Sequence, residues 1–225
     1  MNRTTSLMIL LVSVTMSFAQ TTKELAKQQL ELNAINMKLL DAKPTKSAKK
    51  EAKELKKEGW TVPAGEQSIE QQITASQLYG AELTTNEEGN TIKRFIMQTA
   101  QQTSGTYNTA YAAARAAAQV ELASMIKTKL GSAMQQKLDI LQSDAVSSTT
   151  VDRFNERSKM IVDQTLTNSI PVLTIYRRLP NNNFEVQVRI AFDKKDLITR
   201  IKRSMRKELE ADGDKLLDIV DRAID

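Results

Sequence analysis

Phe184, Val186, Val188, Ile190 and Phe192 alternate with Glu185, Gln187, Arg189 and Ala191. That alternation predicts a strand with one packed face and one wet face. The preceding PVLTIYRR, residues 171–178, reads as a second strand, and LPNNN between them is rich in residues that tolerate left-handed backbone. Together they predict an antiparallel hairpin. A further strand is expected from Thr91 onward in TIKRFIMQTAQQT, whose start is β-branched and aromatic.

Elsewhere the apolar positions follow the helical period. Leu25, Leu32 and Leu39, with Ile35 and Ala42 between them, predict a helix over residues 22–42 that Pro44 ends. In KSAKKEAKELKKEGWTVP, Ala48, Ala52 and Leu55 form a narrow stripe on a Lys-rich helix. Gly59 suits the left-handed position just past its end, Trp60 follows where it can cover Leu55, and Pro63 prevents resumption. Ile69 and Ile73 mark a short helix over residues 65–79, and TNEEGN is a turn. Residues 109–131, TAYAAARAAAQVELASMIKTKLG, gather Tyr111, Ala114, Ala118, Leu122, Met125 and Ile126 on one side of a helix that alanine nearly rings at its start. So thin a helix suits close docking on a neighbour.

A further helical stretch is expected to break near SDAVSSTT. Met134, Leu138 and Leu141 share a face before the break, Phe154, Ile161 and Leu166 are apolar after it, and Thr150 or Asp152 offers a cap. Asp193 is positioned to cap a last helix with Asp196 in its first turn. Leu197, Ile201, Met205 and Leu209 form its stripe; Leu216, Val220 and Ile224 extend it, with Gly213 as a kink or stop.

The pattern predicts an α+β protein in the order β-α-α-β-β-α: a small antiparallel sheet of about three strands with helices on one face, plus a helical N-terminal extension. The expected division is residues 1–19, a helical extension over 20–62, a short helix and linker over 63–90, and the α+β domain over 91–225.

The first stretch changes the picture of where the chain goes. MNRTTSLMILLVSVTMSFAQ has a basic start at Arg3, a short apolar run and small residues before a cleavage position after Ala19, the pattern of a secretory signal peptide. Its apolar run falls short of the roughly 20 residues of a membrane span. No Cys follows it, so lipid attachment is not expected. The expected location is therefore exported, periplasmic or cell-envelope associated, with no transmembrane helix in a mature chain of about 206 residues. Removal of Arg3 leaves 31 basic against 27 acidic residues. That excess is too mild to call for nucleic acid, and export argues against it as well.

The chain has no His and no Cys. This excludes Ser-His-Asp and Cys-His nucleophile systems, ordinary zinc sites and disulfides. EADGDKL lacks the spacing of a calcium loop. Carboxylate pairs, Ser/Lys chemistry and oxygen-ligand metals remain, and a Ser/Lys or carboxylate hydrolase would need a cleft with perturbed acids; no catalytic, cofactor or metal residues are expected, and the chain reads as a non-enzyme.

The candidate contact residues are basic. Lys49, Lys50, Lys53, Lys56 and Lys57 lie on the first Lys-rich helix, diluted by Glu51, Glu54 and Glu58. Lys194, Lys195, Arg200, Lys202, Arg203, Arg206 and Lys207 crowd the start of the last one. Either set suits an anionic lipid or cell-wall polymer, or is a solvated cationic face. Arg115, inside the alanine run, would bind a partner's carboxylate or phosphate, or would pair with an acidic residue of its own domain.

AYAAARAAAQVELASMIKTKLGS followed by VLTIYRRLPNNNFEVQVRIAF resembles the LPP-type small bacterial envelope lipoprotein domain, and is similar to the N-terminal domain of flagellar assembly protein T. Ala114, Arg115, Ala118, Leu122 and Ile126 match the helix of that pattern; Phe184, Val186 and Val188 match its later strand. The resemblance spans residues 92–195, and the chain departs from it by lacking a lipid-attachment Cys. It implies an envelope-located, non-enzymatic assembly or scaffold role with other envelope proteins as partners, and carries over no catalytic residue.

Overall fold

The computed structural model describes residues 27, 30, 31, 34, 42–85, 89–140 and 148–208, and side chains within these except 134–140, 148–155, 202 and 204–208. Lys27, Leu30, Glu31 and Ala34 are helical, within the helix expected over residues 22–42. The rest of that helix, the signal-peptide pattern, and the stripe from Leu209 onward lie outside the described residues, as do the side chains of Met134, Leu138 and Phe154. The chain divides into two units, Met1–Lys43 and Pro44–Asp225. The break falls at Pro44, so residues 46–81, expected as extension and linker, belong to the second unit.

That unit is α+β. Helix α1 is Lys46–Lys57 and α2 is Ile69–Ala81. A two-stranded ribbon, β1 (Leu83–Thr85) with β2 (Thr91–Lys93), leads into β3 (Phe95–Ser104). Then come α3 (Tyr107–Ile140), α4 (Ser148–Thr165), a 3-10 turn at Leu166–Asn168, β4 (Ile170–Arg178), β5 (Phe184–Asp193) and α5 (Lys194–Glu208). The expected hairpin forms, and its second strand is central: the sheet order is β3-β5-β4, antiparallel throughout.

Local chemistry fixes several ends. Thr45 accepts from Ala48 N–H to start α1. Gly59 takes φ +87° after its end, and Trp60 N–H donates to the Leu55 carbonyl at 3.0 Å, closing the turn as its sequence predicts. Ser68 and Gln71 form a capping box on α2. Helix α3 runs through Gly131, which does not interrupt it, and α4 begins at Ser148, so Thr150 and Asp152 lie inside it rather than capping it.

The layering differs from expectation: helices cover both faces of the three-stranded sheet. On one face Ala110, Ala114, Ala118, Leu122 and Ile126 of α3 pack on Ala100, Val186, Val188, Ile190 and Phe192. The alanines are fully buried, and their small side chains let α3 settle close to the sheet. On the other face Ala48, Ala52, Trp60, Ile69 and Ile73 pack on Leu173 and Ile175. This second face is the one the alternation in β5 marks as wet. Two of its polar residues on β5, Arg189 and Glu185, are paired. Arg189 donates to Thr99 Oγ1 and to Ser76 Oγ of α2, each at 3.0 Å, while Glu185 accepts from Arg177 at 2.5 Å and Gln101 at 2.6 Å. Paired polar groups of this kind carry little burial penalty.

A candidate interaction surface

The two outer strands of the sheet end in different ways. On β4, Pro171 has no N–H to offer, and a register shift separates it from Leu173. Thr174 N–H donates to Gln72 Oε1 of α2 at 2.7 Å. Tyr176 exchanges two backbone bonds with Thr61, at 2.8 and 2.9 Å. The outer edge of β4 is therefore closed.

These same bonds determine which groups β3 turns outward. Thr174 and Tyr176 point away from β5, so Leu173, Ile175 and Arg177 bond it, opposite Arg189, Gln187 and Glu185. Alternation along β5 then aims the backbone of Val186, Val188 and Ile190 at β3, where they meet Gln102, Ala100 and Gln98. The N–H and C=O groups of Met97, Thr99, Gln101 and Thr103 are left facing outward. Among the described residues none bonds to them. The strand carrying them, FIMQTAQQTS, has no charge, no Pro and an unbroken register. Those are the devices by which edge strands usually prevent pairing.

The start of β3 is locked. Expected as one strand from Thr91, this segment breaks at Arg94, whose N–H donates to the Glu82 carbonyl and whose carbonyl accepts from Lys194. The Arg94 guanidinium meets Asp193 Oδ2 at 2.9 Å, with both side chains about nine-tenths buried. Asp193 Oδ1 meanwhile accepts from Lys195 N–H, so the expected cap of the last helix also serves as the counter-ion of Arg94. Sequence reading passed over Arg94; an Arg inside a β-branched and aromatic run was the available signal.

The sequence-predicted contact residues do not come together as one basic patch. Lys49, Lys50 and Lys53 are exposed on α1, opposite the buried Ala48 and Ala52. Lys56 is held by Glu70 at 2.6 Å and Lys57 by Glu54 at 3.0 Å. The Lys56 ammonium, bonded to the Glu70 carboxylate, lowers that carboxyl below the usual range. On the last helix, Lys194 is only 5% exposed at the β5–α5 junction, which removes it from any contact surface. Lys195 and Arg203 are half-buried, Arg200 pairs with Asp196 at 3.0 Å, and the side chains of Lys202, Arg206 and Lys207 lie outside the described residues. Arg115 finds a backbone carbonyl in place of the expected acidic partner. Half-buried, it reaches Ser169 O at 3.5 Å, beside Gln119, which donates to Leu166 O and Ser169 Oγ. Both side chains brace the 3-10 turn.

Two further features lie nearby. A groove of about 560 Å³ between α3 and α4 is lined by Val120, Ser124, Thr128 and Lys159, with Lys127 and Asp163 paired across it at 2.6 Å. At the hairpin end, Tyr107 stacks on Tyr111 and meets Tyr176 edge-on, Tyr176 lies tilted against Phe184, and the four rings pack against the α3-side core. Burial raises the Tyr107 hydroxyl above its ordinary value. Among the described residues no helix is long and apolar enough to cross a membrane, and no three carboxylates gather in a metal-binding cluster. Comparison with protein-family models, curated proteins and solved structures gives no match.

Proposed function

We propose that this chain is an exported, non-enzymatic component of the bacterial cell envelope that works by protein–protein contact, docking through the open edge of β3. The observation that carries this reading is the inequality of the two sheet edges. An uncharged strand whose outward N–H and C=O groups are unbonded among the described residues is a ready template for an added strand. The signal-peptide pattern at the N-terminus supports export, and the envelope-domain resemblance of residues 92–195 supports an assembly role.

A second reading is favoured by the exposed Lys49, Lys50 and Lys53 on one side of α1: retention on an anionic lipid or cell-wall polymer. Photo-crosslinking in native cells separates the two. A photoreactive residue at Thr103 is expected to capture protein from the envelope fraction, whereas one at Lys53 is not. No protein adduct at Thr103, together with salt-sensitive retention on anionic vesicles or cell wall, would replace the first reading with the second.

A further inference from the structure

We infer that the occupant of the β3 edge is a second copy of this chain, paired antiparallel about a two-fold axis through Ala100 to give one continuous six-stranded sheet. This rests on the docking edge proposed above and names its partner. Three observations lead to it.

The first is register. Past Phe95, which is buried at the locked start of the strand, the described residues that present outward backbone groups are Met97, Thr99, Gln101 and Thr103, so a symmetric antiparallel pair must join odd-numbered residues to odd-numbered ones. An axis at Ala100 pairs all four of these: Met97 bonds Thr103, Thr99 bonds Gln101, and Ala100 faces itself. The second is charge. Like charges opposite one another destabilise a strand pair, and β3 has none along its length.

The third is the alanine helix. Helix α3 packs on both β3 and β5, so its axis lies over the seam between them. Strands are spaced about 4.8 Å apart, which puts α3 about 5 Å from the two-fold axis and its copy about 10 Å away, the separation of packed helices. The flank of α3 on that side is identified by Glu121, which accepts from Gln98 of β3 at 2.6 Å. One and two turns earlier on the same flank stand Ala117 and Ala113, half-buried and exposed. Moving from Gln98 to Ala100 advances about 7 Å along β3, or four to five residues back along α3, which brings the axis to about Ala117. The two helices then meet across alanine, and Ala113 lies opposite Glu121 of the partner subunit.

The test is sedimentation of the purified chain over a concentration series, with two variants on different elements. Thr103→Pro removes one outward N–H and no bond to β5. Ala113→Glu sets a carboxylate against a carboxylate across the axis. Each is expected to raise the dimer dissociation constant roughly tenfold or more while leaving the melting temperature of the monomer near that of the parent. Because the chain has no Cys, Ala117→Cys gives a second readout that does not depend on either variant folding well: a short bis-maleimide should link two copies. A chain that stays monomeric at its highest soluble concentration, or a dimer that both variants leave intact and Ala117→Cys does not link, overturns the inference. A different envelope protein captured at Thr103 by a monomeric chain also overturns it, and leaves the proposed function standing.

Discussion

Strands β3 and β4 flank the same central strand, yet among the described residues only β4 is sealed. The seal on β4 is made by residues distant in sequence: Thr61 in the loop after α1, and Gln72 on α2. The outer edge of β3 is held at its start, where Arg94 meets Asp193 and Glu82, and beyond it the outward N–H and C=O groups bond nothing among the described residues. The difference teaches that closure of an edge is a property of what packs beside it. The same α1–α2 layer that buries Leu173 and Ile175 also supplies the groups that close β4. Helix α3, thinned by alanine, lies on the face of β3 and among the described residues contributes the Gln98–Glu121 bond near its edge.

Breaking the lock at the start of β3 should have the largest effect. Arg94→Ala or Asp193→Ala strands a buried charge and should lower unfolding free energy by about 3–5 kcal/mol in urea titration. A loss below about 1 kcal/mol would mean that β3 is held by the ladder to β5 alone. Next comes the fit of α3. Ala118→Leu pushes a larger side chain into a fully closed contact and should cost about 1–3 kcal/mol by thermal melting, whereas Ala116→Leu on the exposed side should be near neutral.

Removing part of the β4 seal should cost less. Gln72→Ala leaves Thr174 N–H without its acceptor, for about 1 kcal/mol, and should raise that amide's hydrogen-exchange rate. The smallest effect is expected away from both edges, at Lys56 and Glu70. Glu70 is held below the usual carboxylate pKa, so its contribution is present above that range and is lost as pH falls through the lowered value. Glu70→Gln should remove a few tenths of a kcal/mol near neutral pH, discounted because Lys56 is half exposed, and should flatten that part of the acid limb of stability.

Much of this frame was legible in the residues. The alternation of β5, the turn at LPNNN and the Gly59–Trp60 ending of α1 are local signals, and each acts over a few residues. What the pattern could not supply was non-local pairing. Arg189 and Glu185 look like residues for water, and α2 and the neighbouring strands give them partners far along the chain. For the same reason one face of the sheet was expected to lie open. Arg94 was hidden inside a strand-like run because its partner lies 99 residues away. Arg115 was recognised as the odd residue of the alanine helix, but its acceptor is a backbone carbonyl, which no composition reveals. The open edge of β3 was equally invisible, since it follows only from the bonding of β4 and β5.

The most direct measurement is residue-resolved amide hydrogen exchange at low and high protein concentration. At low concentration Met97, Thr99, Gln101 and Thr103 should exchange much faster than Gln98, Ala100 and Gln102, while Thr174 and Tyr176 stay protected. At high concentration the four outward amides should slow together. Protection of all four at the lowest concentration, or exchange at Thr174 and Tyr176 as fast as theirs, would contradict the contrast between an open and a closed edge.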